Sequence, residues 1–262
     1  MSNKNLNAEL EEEKKETNKK QSKGRKLVDR LFIIIIVICF AVGIYLLVKP
    51  IVIKNRQDQI TDELNERIDS GLMEPIVVPI DANPVEGESY DYYGDYETDP
   101  YEINYADLPD GNVELIPLGR LEIPKIHVNL PILEYATRVQ LRYGLAHVET
   151  TAKPGEDGNN AMLGHRMLDS GRHLNRLDEV AIGDKITINT GSVLYTYEVI
   201  EMVVIDPAVL MDYVEKDYGM PTLTLITCDP IPTWEHRLLC IAKEVDRTPL
   251  EKTDENSDND SD

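Results

Sequence analysis

Leu31 to Val48 is a run of eighteen residues without a charge, and it contains Ile33-Ile34-Ile35-Ile36-Val37-Ile38. About twenty consecutive apolar residues span a bilayer core as a helix, so one transmembrane helix is expected over 31–48. Beyond it the texture is mixed: Ile60, Leu64 and Ile68 recur at helical spacing among charged residues, predicting a short amphipathic stalk helix between Ile51 and Leu72. Residues 73–116 are rich in Pro, Gly, Asp, Glu and Tyr and read as a linker or surface loop without a packed core. From about Leu118 the pattern alternates. Leu121 to Val128 reads as a strand interrupted by Pro124, which suits an edge or a bulge. Thr137 to Tyr143 offers one or two helical turns, and Asn160 to Leu163 a short strand. Leu174, Leu177 and Val180 stand at helical spacing. Lys185–Asn189 and Val193–Ile200, separated by Gly191, read as a hairpin. Thr222–Thr227 and Arg237–Glu244 supply two more strands around a Pro-rich loop. Many short strands with brief helices predict an all-β barrel of about 130 residues.

The expected organisation is therefore a polar tail over 1–30, the anchor over 31–48, and stalk helix with acidic linker over 49–117. A barrel follows over 118–245, then a disordered acidic tail over 246–262. The 262 residues and 42% hydrophobic share suit one moderate globular domain plus appendages. Lys14, Lys15, Lys19, Lys20, Lys23, Arg25, Lys26 and Arg30 crowd before the apolar run. That cationic flank keeps the first thirty residues, expected to be disordered, in the cytoplasm and sends the rest outside. A cleaved signal peptide fits less well, because the run is long and Lys49-Pro50-Ile51-Val52 offers no small-x-small site. The net charge of −21 argues against nucleic acid and against binding to anionic lipid.

Three cysteines divide by position. Cys39 lies in the apolar run, and Cys240 lies in Leu238-Leu239-Cys240-Ile241, where a cysteine is a small buried hydrophobe. Cys228 is left over, and a lone thiol in an exported domain points to chemistry, although pairing of Cys228 with Cys240 stays open on sequence alone. Cys228 closes Thr224-Leu225-Ile226-Thr227-Cys228, nine residues before Arg237, and Gly164-His165-Arg166 ends another strand-like segment. A thiol becomes a good nucleophile beside a base or cation, and an acyl intermediate needs a donor for its oxyanion. Thiol, imidazole and guanidinium supply those parts. Among the other histidines, His127 falls in an alternating strand and His173 on a helix surface. His147 follows Leu145-Ala146 as a support of the barrel, and His236 adjoins Arg237, so only one of them faces the site. No pair of ligands has zinc-type spacing, and no metal or cofactor is expected.

These residues, in this order, resemble the sortases, the cysteine transpeptidases of the Gram-positive cell surface. The resemblance covers about 118 to 245: Ile123-Pro124-Lys125-Ile126, Leu130-Pro131-Ile132, Pro154-Gly155-Glu156, Asn159-Asn160 and Gly164-His165-Arg166. It continues with Leu174 to Leu177, Gly183-Asp184, Leu223 to Cys228 and His236-Arg237-Leu238-Leu239. It implies a closed eight-stranded sortase-type barrel with short helices behind a single membrane helix, and catalytic Cys228, His165 and Arg237. The implied substrates are surface proteins or pilins with an LPXTG-like C-terminal sorting signal. The implied acceptor is an amine, from a peptidoglycan cross-bridge or a lysine. Asp99-Pro100-Tyr101 resembles the lid of pilus-assembling class C enzymes, although Asp-Pro is also ordinary turn chemistry. The Pro154-Gly155-Glu156 and Asn159-Asn160 stretch and the Cys228-Asp229-Pro230 continuation are closer to classes D and E, and the expected lack of a second apolar span after the barrel speaks against class C. A sortase-like binding module and a thioester-hydrolysing peptidase are the competing functions.

Overall fold

A computed structural model describes residues 2–79, 112–166, 173–231, 233 and 235–251, with side chains described from residue 30 onward except at residue 138. The chain divides into two compact units, Met1–Asn55 and Arg56–Asp262.

The first unit is helical. Helix α1 (Ser2–Asp69) passes through Pro50 and continues into the second unit. It begins at Ser2, so residues expected to be disordered are helical; the Glu and Lys that fill this stretch are good helix formers. Leu31 to Val48 presents its large apolar side chains outward, with Phe40 and Leu47 each 72% exposed. That is the surface a bilayer, not a protein core, would cover.

The second unit is a closed barrel. Its strands are β3 (Pro117–Ile123), β4 (Val128–Leu133), β5 (Leu145–His147), β6 (Asn159–Leu163), β7 (Lys185–Asn189), β8 (Val193–Ile205), β9 (Thr222–Asp229) and β10 (His236–Pro249). They close in the order β10-β8-β7-β3-β4-β5-β6-β9. The β4–β5 and β6–β9 pairs are parallel and the rest antiparallel. Alternation along each strand separates two cores. Leu121, Ile123, Met162, Ile186, Ile188, Tyr197, Leu223, Leu225, Leu238 and Cys240 form one cluster, the barrel interior. Ala146, Ala161, Leu163, Ile205, Leu210, Ile226, Cys228 and Leu239 form the other, on the opposite face of β5, β6, β9 and β10. Leu210 and Val214 reach it from helix α3 (Leu210–Val214) in the β8–β9 connection.

Three expectations are corrected. The 73–116 segment is not wholly unpacked: its ends form a two-stranded sheet, β1 (Ile76–Pro79) with β2 (Asn112–Leu115). Val78, Val113 and Leu115 bury themselves against Leu64 of α1, Leu133 of β4 and Val139 of helix α2 (Arg138–Tyr143), so the stalk helix's apolar stripe is matched by a partner. Strand β10 extends into the expected tail, because long β8 offers pairing from Asp246↔Thr196 to Pro249↔Val193; residues 252–262 lie outside the described residues. Around Leu177 there is a 3-10 turn (Leu177–Glu179) in place of a regular helix. Polar contacts tie the end of α1 down: Thr61 Oγ1 donates to the Tyr143 carbonyl at 2.8 Å, and Arg120 Nε donates to Asp69 at 3.0 Å.

Candidate active site

The parallel β6–β9 pair builds half of the site. Leu163 stands opposite Ile226; His165 and Cys228 are each two residues further along, on the face shared with the second core. The Gly164 N–H donates to the Ile226 carbonyl at 3.0 Å, and Thr227 Oγ1 donates back to the Gly164 carbonyl at 2.8 Å. A Cβ at position 164 would sit 2.7 Å from side-chain carbons of both Leu145 and Leu174. Glycine there lets the chain pass close against the sheet end, which aims the next residue, His165.

The antiparallel β9–β10 pair builds the other half: Arg237 is the direct cross-strand partner of Cys228, an arrangement in which side chains on one face lie close together. Arg237 is 1% exposed, and its Nη1 donates to the His236 carbonyl at 2.9 Å; His236 itself is exposed. The three sequence-expected residues thus come from three segments brought to one end of the β6–β9–β10 sheet.

Cys228 is 3% exposed, not open at the rim as its strand-end position suggested. Its neighbours on this face include Leu163, Ile205, Leu210 and Ile226. Burial pushes the thiol pKa up, and the positive charges of Arg237 and Arg166 oppose that rise. Burial also pushes the pKa of the half-buried His165 down to about 4, helped by the cation of Arg142. Both shifts favour an uncharged thiol and an uncharged imidazole at neutral pH. Cys240 faces the barrel interior, and burial takes its thiol up to about 12. Cys228 and Cys240 are both free, which settles the question of their pairing.

Several neighbours were not legible in the sequence. Arg142, on α2, supplies a charge near His165. His173 is buried and meets His165 edge-on, with ring centroids 5.9 Å apart, where a helix surface had been expected. Arg166 ion-pairs with Asp229 and with Asp178 at 2.9 Å. His127 ends a 3-10 turn in the left-handed region at φ 57° and is not part of a strand. His147 is fully buried on β5 and hydrogen-bonded, a support of the barrel. Asp99 and Tyr101 lie outside the described residues.

Comparison with known proteins converges on one family. A model of the Sortase domain matches residues 121–245. Sortase A of Bacillus anthracis is 31% identical over 143 residues, 52% of this chain and 67% of that protein. Sortase A of Streptococcus agalactiae serotype III is 27% identical over 181 residues, 67% of this chain and 69% of that protein. The chain belongs to the sortase family. The crystal structure of Sortase C-3 from Streptococcus pneumoniae shares the fold at a TM-score of 0.50 and 27% identity, over 77% of this chain and 86% of that one. Sortases are cysteine transpeptidases, and the closed eight-stranded barrel is the sortase architecture. In this sortase the residues that the family motif points to fall where β6, β9 and β10 meet.

Proposed function

We propose that this protein is an active sortase that cleaves an LPXTG-like sorting signal between Thr and Gly and transfers the acyl group to an amine. The observation that carries the reading is the convergence of Cys228, His165 and Arg237 at one end of one sheet. His165 takes the proton of the Cys228 thiol, and the thiolate Sγ attacks the Thr carbonyl carbon. The resulting imidazolium delivers that proton to the Gly nitrogen as the C–N bond breaks, leaving a thioester. Arg237 holds the substrate backbone and the oxyanion. The acceptor amine then attacks the thioester carbon and gives its proton to His165, and the C–S bond breaks to free Cys228. The apolar cluster around Cys228 excludes water, which favours aminolysis over hydrolysis.

The domain boundaries follow the same reading. Residues 1–30 stay in the cytoplasm, 31–48 anchor the chain in the membrane, and the barrel faces the outside with its signal-bearing substrates. The acceptor is a peptidoglycan cross-bridge amine or a pilin lysine, and Asp99 and Tyr101 are candidate lid residues. Incubation of the protein in detergent with a panel of sorting peptides and amine acceptors tests this directly. A Cys228 thioester detected by mass spectrometry, followed by amide product, is the expected result. Peptide hydrolysis unaffected by any amine would make it a peptidase, and no reaction with any peptide would leave a binding module.

A further inference from the structure

Arg166 directly follows His165, and its guanidinium is held by three partners. Its side chain is 7% exposed. Nε donates to the Asn175 carbonyl at 3.3 Å, Nη2 pairs with Asp178 at 2.9 Å, and Nη1 pairs with Asp229. One partner follows Cys228 directly in the chain, and two lie in the segment after His173. A rigid fork of donors is suited to such a multipoint hold, which lysine does not reproduce.

We propose that Arg166 is a positioning residue for acyl transfer: it clamps the end of β9 to the His165 segment through Asp229 and keeps positive charge beside Cys228. The inference rests on Cys228 being the nucleophile. Two cations, Arg237 from β10 and Arg166 from the segment after β6, act on the buried thiol. Around these two cations stand His165 at the neighbouring strand end, with Arg142 and His173 beside it, and Asp229 and Asp178, which both pair with Arg166. Arg237 lies directly across the ladder from Cys228, whereas Arg166 is engaged by carboxylates and acts through Cys228 and Asp229. Asp229 has the opposite electrostatic role: it partly cancels Arg166.

The test is the pH dependence of Cys228 alkylation by iodoacetamide in the full-length protein, with circular dichroism to confirm folding. Arg166→Gln is expected to raise the alkylation midpoint by roughly one pH unit, and Asp229→Asn to lower it. Arg166→Lys is expected to restore the midpoint but not kcat, which stays about tenfold or more below the parent because the clamp is lost, with KM little changed. A structural contribution alone would move the Arg166→Gln and Asp229→Asn midpoints the same way or leave them in place, and either result overturns the proposal. Alkylation needs no substrate, so this arm stands apart from the function test. Absence of any thioester in the parent protein would sink the transpeptidase reading, and the alkylation midpoints would still decide whether Arg166 supplies charge to Cys228.

Discussion

His147 and His165 sit on neighbouring parts of one barrel, yet their surroundings are opposite. Around His147 the buried polar groups answer one another. Its Nδ1 faces Glu134 at 3.3 Å and its Nε2 faces the Ala152 carbonyl at 3.0 Å. Glu134 also receives Lys153 at 2.5 Å, which holds the lysine pKa up. Around His165 and Cys228 the shifts run against charge: the imidazole is pushed down to about 4 and the thiol upward. Burial is common to both regions and so does not mark the site. What distinguishes the candidate site is an imidazole and a thiol, both held uncharged by burial, at the same end of one sheet.

The sharpest break of that comparison is Cys228→Ala, which is expected to abolish both thioester and amide product while thermal unfolding stays within a few degrees. Product formed by this variant would end the assignment. Next comes Arg237→Ala, for which we expect a 10²- to 10³-fold loss in kcat/KM, on the order of removing an oxyanion donor. Because Arg237 opposes the rise of the thiol pKa, the same variant should move the Cys228 alkylation midpoint upward, and an unchanged midpoint would contradict its place beside the sulfur.

On the scaffold side, His147→Ala leaves Glu134 without one of its partners. It should cost roughly 2–4 kcal/mol of stability in denaturant melts, while the folded fraction keeps near-parental kcat. A large kcat loss at full stability would mean that the two regions are not separate. The smallest effect concerns acid. His165 carries a proton below about 6.5 when unfolded but only below about 4 when folded, so the unfolded state binds more protons between those values. Stability should therefore fall as pH drops from 6.5 to 4 and level off below. In His165→Ala that part of the slope should vanish, and a slope of parental size would show that other groups cause it.

Much of this was readable from order and alternation. Period-two patterning identified most barrel strands, and the positions of Gly164-His165-Arg166, Thr227-Cys228 and Arg237 at strand ends brought out the site. What failed was mostly non-local. Ile60, Leu64 and Ile68 were seen as an apolar stripe, but the strands that cover it come from the two ends of an acidic segment and are recognisable only once they pair. His173 looked like a surface residue because its packing against His165 is a tertiary contact that helical spacing does not carry.

The sequence by itself determined the membrane-length helix and the strand-rich domain, because local periodicity carries those, and its resemblance to the sortases pointed to Cys228, His165 and Arg237. The tertiary structure decided that Cys228 is buried, that Arg142 and Arg166 bring charge to its site, and that Asp229 and Asp178 hold Arg166. Closing the barrel places β6 beside β9 and β9 beside β10. Electrostatic neighbours and the dielectric around a thiol arise from that closure, which no local stretch of residues encodes.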